Sequence, residues 1–233
     1  MTNTLAAPRL QAVLSRLFAA AAAQETDDRP SDAPGTARRP GLASWDTASA
    51  QERADAFADA YIPISAEAGR LLYALVRAAR PQTVVEFGMS FGISTIYLAA
   101  AVTDNGTGRV VTTEASSAKI TAARANLQQA GVDGPVTILA GDALATLAEV
   151  PGPIGLVLLD GWKDLCLPVL RLLEPRLAAG ALVVADDIDQ SAMTAYLDYV
   201  RDAANGYVSV AFPVEDGMEI SCYCGGDSGR PAK

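Results

Sequence analysis

Asp160, Lys163, Asp186 and Asp187 are the side chains whose types and spacing most directly suggest chemistry. Two apolar runs deliver them. The first, 154–159, ends in Asp160-Gly161-Trp162-Lys163, and the second, 181–185, ends in Asp186-Asp187. If the runs are neighbouring strands, their acids meet at the tips. Hard oxygen donors with no histidine or thiolate among them suit Mg²⁺, or another divalent cation such as Ca²⁺ or Mn²⁺, far better than zinc. Three carboxylates facing one another carry excess negative charge. That charge either raises one pKa or calls for a metal and a protonated neighbour such as Lys163.

A second constellation lies at Val84-Val85-Glu86-Phe87-Gly88-Met89-Ser90-Phe91-Gly92-Ile93-Ser94-Thr95. An apolar run ends in an acid, two glycines follow four residues apart, and a helical apolar pattern resumes. The unit reads as strand, tight turn and helix, the opening of an α/β domain that binds a nucleotide or cofactor. The turn is neither the Gly-x-Gly-x-x-Gly of dinucleotide folds nor a lysine-bearing P-loop. An acid before the first glycine suits a cationic amino group better than a phosphate, which points toward S-adenosylmethionine with its zwitterionic amino-acid end.

Further acids fall where later strands end. Glu114 lies one strand over, where a carboxylate accepts hydrogen bonds from ribose hydroxyls. Asp142 suits an adenine amino group or simply the start of the following helix. Trp162 could lie against the adenine, close over a substrate, or pack.

Composition limits the alternatives. The 233 residues carry a net charge of −9 and no histidine, which removes His-ligated metals, Ser-His-Asp and Cys-His arrangements and a histidine pH switch. Acidity with 18 basic residues argues against nucleic acid. Cys166, Cys222 and Cys224 form neither a disulfide framework nor a zinc motif. The apolar run Leu17 to Ala23 is too short to span a bilayer, so a cytoplasmic protein without a membrane partner is expected.

The elements that must position these residues follow a regular rhythm. Residues 1–64 read as an N-terminal helical extension with a helix over 5–23, a Pro/Gly-containing loop near 24–41 and a helix around 47–60. A helix over 65–79 opens the domain proper, with Ser65 as its cap and Pro81 closing it. Strands at 83–87, 109–113, 136–140, 154–159 and 181–185 alternate with helices at 92–102, 117–129, 143–149, 165–176 and 190–203. Two alternating segments, 207–213 and 218–224, are joined by Glu215-Asp216-Gly217 and should pair antiparallel. The domain ends near 224, with a tail over 225–233. The layout predicts a Rossmann-like α/β sheet of seven mostly parallel strands, finished by an antiparallel hairpin strand, with helices on both faces.

Leu159-Asp160-Gly161-Trp162-Lys163-Asp164-Leu165-Cys166-Leu167-Pro168, with Leu172-Leu173-Glu174 and Gly180 through Asp187, resembles the catechol and caffeoyl-CoA branch of the class I S-adenosylmethionine-dependent O-methyltransferases. The resemblance runs from about residue 60 to 224. It implies methyl transfer from S-adenosylmethionine to a hydroxyl of a small hydroxylated aromatic, with Mg²⁺ on Asp160, Asp186 and Asp187. It makes Lys163 the base that deprotonates the accepting hydroxyl, with Asp160 beside it in the catalytic set. A neutral Lys163 would need a depressed pKa, for which a nearby metal and partial burial are the available causes. Residues around Ile62 to Ser65 fall where the family walls in the methionine end. The candidate cofactor contacts are Ile62, Glu86, Gly88, Ser90, Gly92, Ser94, Glu114, Asp142, Asp160 and Trp162.

Two departures stand out. The second member of the acid pair is usually Asn and here is Asp187, which strengthens metal binding, alters metal preference, or leaves one of the pair unligated. Animal catechol enzymes carry a glutamate near the last hairpin that orients the second hydroxyl; counted back from Asp216-Gly217, its nearest counterpart is Val210, so no match exists. Rival readings are a metal-independent O- or N-methyltransferase acting on a natural-product scaffold, a nicotinamide-dependent reductase, and a non-catalytic binding module. Relatives occur as monomers and dimers, so a homodimer stays open.

Overall fold

The structure, a computed structural model, describes residues 3–27, 44–45 and 47–225. Seven strands form one sheet in the order β3-β2-β1-β4-β5-β7-β6. They are β1 (Thr83–Phe87), β2 (Arg109–Glu114), β3 (Val136–Ala140), β4 (Ile154–Leu159), β5 (Leu177–Ala185), β6 (Tyr207–Phe212) and β7 (Met218–Tyr223). The first five run parallel, and β7 enters antiparallel between β5 and β6. This is the predicted seven-stranded, Rossmann-like arrangement.

Strand order reverses between β1 and β4, whose tips lie side by side: Phe87 pairs with Leu159, and Leu159 with Ala185. The residues that follow, Gly88, Asp160 and Asp186, therefore emerge at one edge of the sheet, outside the carboxyl ends where open α/β sheets bind ligands. Alternation along each strand divides the core. Val84, Val110, Leu156 and Leu158 face one layer, and Val85, Val111, Val157 and Leu159 the other.

The first layer comprises α1 (Pro8–Asp27), α3 (Ala66–Ala79), α4 (Ile93–Asn105) and α5 (Ser117–Ala130). Leu10, Val13, Leu14 and Leu17 of α1 are buried in that core, and Arg16 holds α1 on α5 by bonds to Asn126 (2.8 Å) and Gln129 (3.1 Å). α6 (Ala143–Thr146), α7 (Cys166–Leu173) and α8 (Thr194–Arg201) cover the opposite face. Ser65 and Ser116 cap α3 and α5 by accepting the N–H groups of Ala68 and Lys119, as short hydroxyl side chains do at helix starts.

Several boundaries differ from the pattern reading. α1 continues to Asp27, and most of the expected 24–41 loop lies outside the described residues, as do residues 226–233 of the expected tail. The helix expected around 47–60 is the shorter α2 (Ala50–Ala56), started by a Ser49/Glu52 capping box. β5 begins at Leu177 because β4 pairs back to it through an irregularity between Ile154 and Leu156. The 190–203 helix splits into short 3₁₀ turns flanking α8, the last of them capped by Asp202. No helix among the described residues is long and apolar enough to cross a membrane.

Candidate active site

The turn after β1 is built by two left-handed glycines. Gly88 has φ +100°, and a Cβ there would stand 2.5 Å from the Asp160 carbonyl oxygen, so the β1 and β4 tips meet only without a side chain. Gly92 has φ +88° and starts α4 with no side-chain cap. Between them Ser90 is held at φ +48°, a conformation that costs a non-glycine residue strain. Its buried hydroxyl has no hydrogen-bond partner.

Glu86 is fully buried. One carboxylate oxygen accepts the hydroxyls of Thr95 (2.6 Å) and Thr112, while the other, Oε1, has no partner within the chain. Burial pushes its pKa up, opposed by the hydroxyls of Thr112, Thr95 and Ser94. Two unpaired polar atoms, the Glu86 carboxylate oxygen at the end of β1 and the Ser90 hydroxyl in the strained turn after it, thus lie close together in the chain. Such atoms are costly unless a ligand meets them. A carboxylate oxygen and a hydroxyl of this kind could accept hydrogen bonds from an ammonium group.

Glu114, at the tip of β2, accepts the backbone N–H groups of Ser90, Ala115 and Ser116, each at 2.9 Å. It thereby fixes the glycine turn to β2, and a carboxylate retains acceptor sites for a further donor. Asp142 is an N-cap: it accepts the Leu144 N–H at 2.9 Å and starts α6. Ile62 is half exposed, and the chain beside it is anchored by Tyr61, whose ring stacks on Phe91 of the glycine turn at 4.1 Å. Ser94 is buried in the first turn of α4.

At the tips of β4 and β5, one carboxylate oxygen from each of Asp160, Asp186 and Asp187 lies within 4.8 Å of the others. Lys163 reaches back to this trio, with Nζ 3.2 Å from Asp160 Oδ1 and 3.0 Å from Asp187 Oδ2. Asp187 sits at φ +54°, a region that Asn and Asp tolerate better than most residues. Burial pushes Asp160 up to about 7; Lys163 opposes this and Asp187 adds to it. Burial and the Asp160 charge push Asp186 up to about 8, against Lys163. The cluster is thus starved of positive charge, and its all-oxygen donor set fits a hard divalent cation.

Of the two causes expected to depress the pKa of Lys163, burial alone does not suffice. Burial lowers it, but the charges of Asp160 and Asp187 outweigh burial and raise it, so the side chain stands as an ammonium. Trp162 packs edge-on against Trp45 (4.9 Å) and Phe57 (5.3 Å), which makes it part of an aromatic cluster bridging the β4 loop and the N-terminal segment.

Sequence reasoning missed the strap behind this cluster. Arg53 of α2 stacks over the Trp45 ring at 4.4 Å, donates through Nη2 to the Trp45 carbonyl and through Nη1 to both carboxylate oxygens of Asp164 (3.1 and 2.8 Å). It also missed Glu215, which accepts the Ser65 N–H at 2.7 Å. A single cationic residue within α2 and an acid in a turn offer no local signal of partners 111 and 150 residues away.

Residues 85–188 match a family model described as a methyltransferase domain. The catechol O-methyltransferase of Mycobacterium tuberculosis is 36% identical over 128 residues, covering 54% of this chain and 57% of that protein. Catechol O-methyltransferase B of Danio rerio is 30% identical over 173 residues, 68% of this chain and 64% of that protein. The chain thus spans about three fifths of the length of these curated relatives. Among solved structures, cofactor-bound Rv0187 from MTB aligns with a TM-score of 0.65 and 30% identity, over 75% of this chain and 87% of that one. The O-methyltransferase TomG from Streptomyces achromogenes, in complex with SAM, aligns with a TM-score of 0.62 and 25% identity, over 76% and 88%.

Proposed function

From the premise that the chain carries a class I methyltransferase domain of the catechol and caffeoyl-CoA O-methyltransferase-like type, we propose that it transfers the methyl group of S-adenosylmethionine to a hydroxyl of a small catechol-like or phenolic acceptor. The observation that carries this reading is the convergence of Asp160, Asp186 and Asp187 with Lys163, next to the β1 turn and its unpaired Glu86 and Ser90 atoms. The β1 turn, Glu114 and the Ile62 segment bind the cofactor. Asp142 and Trp162 border it, the first as a helix cap and the second from the aromatic cluster.

Asp160, Asp186 and Asp187 would hold Mg²⁺, or Ca²⁺ or Mn²⁺. Bound there, such an ion supplies Lewis acidity that lowers the pKa of a hydroxyl. Lys163 takes up the hydroxyl proton. Its ammonium form depends on the charges of Asp160 and Asp187, so engaging those carboxylates in another ionic contact weakens that hold, and burial then favours the neutral amine. The phenolate oxygen attacks the sulfonium methyl carbon in line, the C–S bond breaks toward sulfur, and S-adenosylhomocysteine and a methyl ether result. The sulfonium already activates the methyl group, so the protein mainly contributes orientation and the deprotonated nucleophile.

The same reading places the protein in the cytoplasm, consistent with Cys166, Cys222 and Cys224 all being free thiols. It excludes nucleic acid as a partner on grounds of charge. A homodimer would cover exposed Val208, Val210 and Phe212 on edge strand β6, which sedimentation equilibrium tests.

The deciding experiment incubates the protein with methyl-labelled S-adenosylmethionine and a panel of catechols, with EDTA or added Mg²⁺. Label transfer abolished by EDTA and restored by Mg²⁺ is expected. Transfer indifferent to EDTA retains the methyltransferase and discards the metal. No transfer across the panel, together with no binding of S-adenosylmethionine in a titration, overturns the reading.

A further inference from the structure

The turn between β6 and β7 is docked against the site on two sides. The Ile188 N–H, one residue beyond the Asp186–Asp187 pair, donates to the Gly217 carbonyl at 3.2 Å, and a Cβ on Gly217 would come within 2.7 Å of Ile188 Cγ1. On the other side the Glu215 carboxylate holds the Ser65 N–H, at the end of the Ile62–Ser65 segment. Glu215 adopts φ +57°, an uncommon backbone conformation for this residue, and its side chain is exposed.

The charge balance of the Asp160, Asp186 and Asp187 cluster is informative. Three carboxylates there face one ammonium, which leaves no cation to spare for Glu215, and Glu215 forms no ion pair of its own among the described residues. Ile62, three residues before Ser65 on the same segment, is a large exposed apolar side chain. The rim thus offers apolar surface for an aromatic body and negative charge for its substituent.

We propose that Glu215 is a specificity-determining residue that selects acceptors by charge, favouring catechols with cationic or neutral tails over those with anionic tails, a role that rests on the O-methyltransfer reading above. It acts at a distance and in partial solvent, so its effect is modest and falls with salt.

The test compares kcat/KM for three acceptors sharing one 3,4-dihydroxyphenyl ring, with an ethylammonium, a carboxamide or a propionate tail, in the wild-type chain loaded with Mg²⁺. Glu215→Gln keeps an oxygen for the Ser65 N–H and removes only the charge; Glu215→Lys reverses it. The wild-type protein should prefer the cationic over the anionic tail. That ratio should fall about 10-fold in Glu215→Gln and further in Glu215→Lys, and the difference between variants should shrink as salt rises from about 20 mM to about 500 mM. Taking the ratio cancels any general loss of activity from a loosened turn. A wild-type preference for the anionic tail, or a ratio unchanged in both variants, overturns the role of Glu215 while leaving methyl transfer standing. Absence of transfer to all three acceptors by a wild-type chain that binds S-adenosylmethionine overturns this role alone; absence of both transfer and S-adenosylmethionine binding overturns the O-methyltransfer reading itself, and this role with it.

Discussion

Lys163 is the residue whose chemistry depends most on its surroundings. Its type and its place three residues after Asp160 were legible in the sequence, because nothing structural demands a lysine and three acids at strand tips. Its protonation state was not legible, since that depends on distances of 3.0 and 3.2 Å to acids from two different strands. Replacing Lys163 with Met removes both the proton acceptor and the cation facing the cluster. Turnover should drop by roughly 10²- to 10⁴-fold. Calorimetry should show S-adenosylmethionine affinity nearly unchanged and divalent-ion affinity equal or higher; unchanged turnover would exclude Lys163 as the base. Asp160→Asn should reduce activity and divalent-ion affinity together, and equilibrium dialysis reads the second independently of the first.

Elements were legible in proportion to how local their causes are. β1, its glycine turn and α4 stand where hydrophobic period and glycine spacing put them, and Ser65 caps α3 as its position before an apolar helical stripe suggests. What stayed hidden is how elements dock. Trp162 could be read as a ligand-facing side chain because its neighbours Trp45 and Phe57 come from more than 100 residues upstream. The strap depends on Arg53, whose guanidinium spans two partners, Nη1 on the Asp164 carboxylate and Nη2 on the Trp45 carbonyl. Arg53→Met should lower the melting temperature by about 3–6 °C, given that hydrogen bonds to charged groups contribute about 1.5–3 kcal/mol and that Asp164 is itself partly solvated. Arg53→Lys should recover little of this, because a single ammonium cannot hold Asp164 and the Trp45 carbonyl at once or lie flat over the indole. Gly88→Ala tests the closest approach between elements. With a left-handed backbone and the Asp160 carbonyl 2.5 Å away, the added methyl must push the β1 and β4 tips apart. A loss on the order of 2–4 kcal/mol in denaturant unfolding is expected, along with weakened S-adenosylmethionine binding. A stable variant with normal binding would show that the turn has room to give.

At the scale of the whole molecule, the absence of histidine makes stability against pH unusually readable. No side chain with an ordinary pKa titrates between about pH 5 and 8, so a slope there must come from displaced groups. Asp160 and Asp186 are raised to about 7 and about 8, and Glu86 is raised as well. For a carboxylate whose folded pKa lies above its unfolded one, the native state binds more protons than the unfolded state between the two values. Stability therefore falls as pH rises through that window. Asp104 and Glu219 are shifted the other way, and their contributions are lost only in more acidic solution. Lys163 is raised, so its contribution is present below its ordinary pKa and lost only in strongly alkaline solution. Without divalent ions, the melting temperature should drop by roughly 3–8 °C from about pH 5.5 to about pH 8.5. Asp186→Asn should flatten that slope by removing one of the raised acids and relieving its neighbour. Added Mg²⁺ should raise the melting temperature more at the alkaline end, where the carboxylates are ionised and ready to bind it. A melting temperature independent of pH across this range, in the wild-type chain without metal, would mean that the three carboxylates do not share charge as closely as the fold places them.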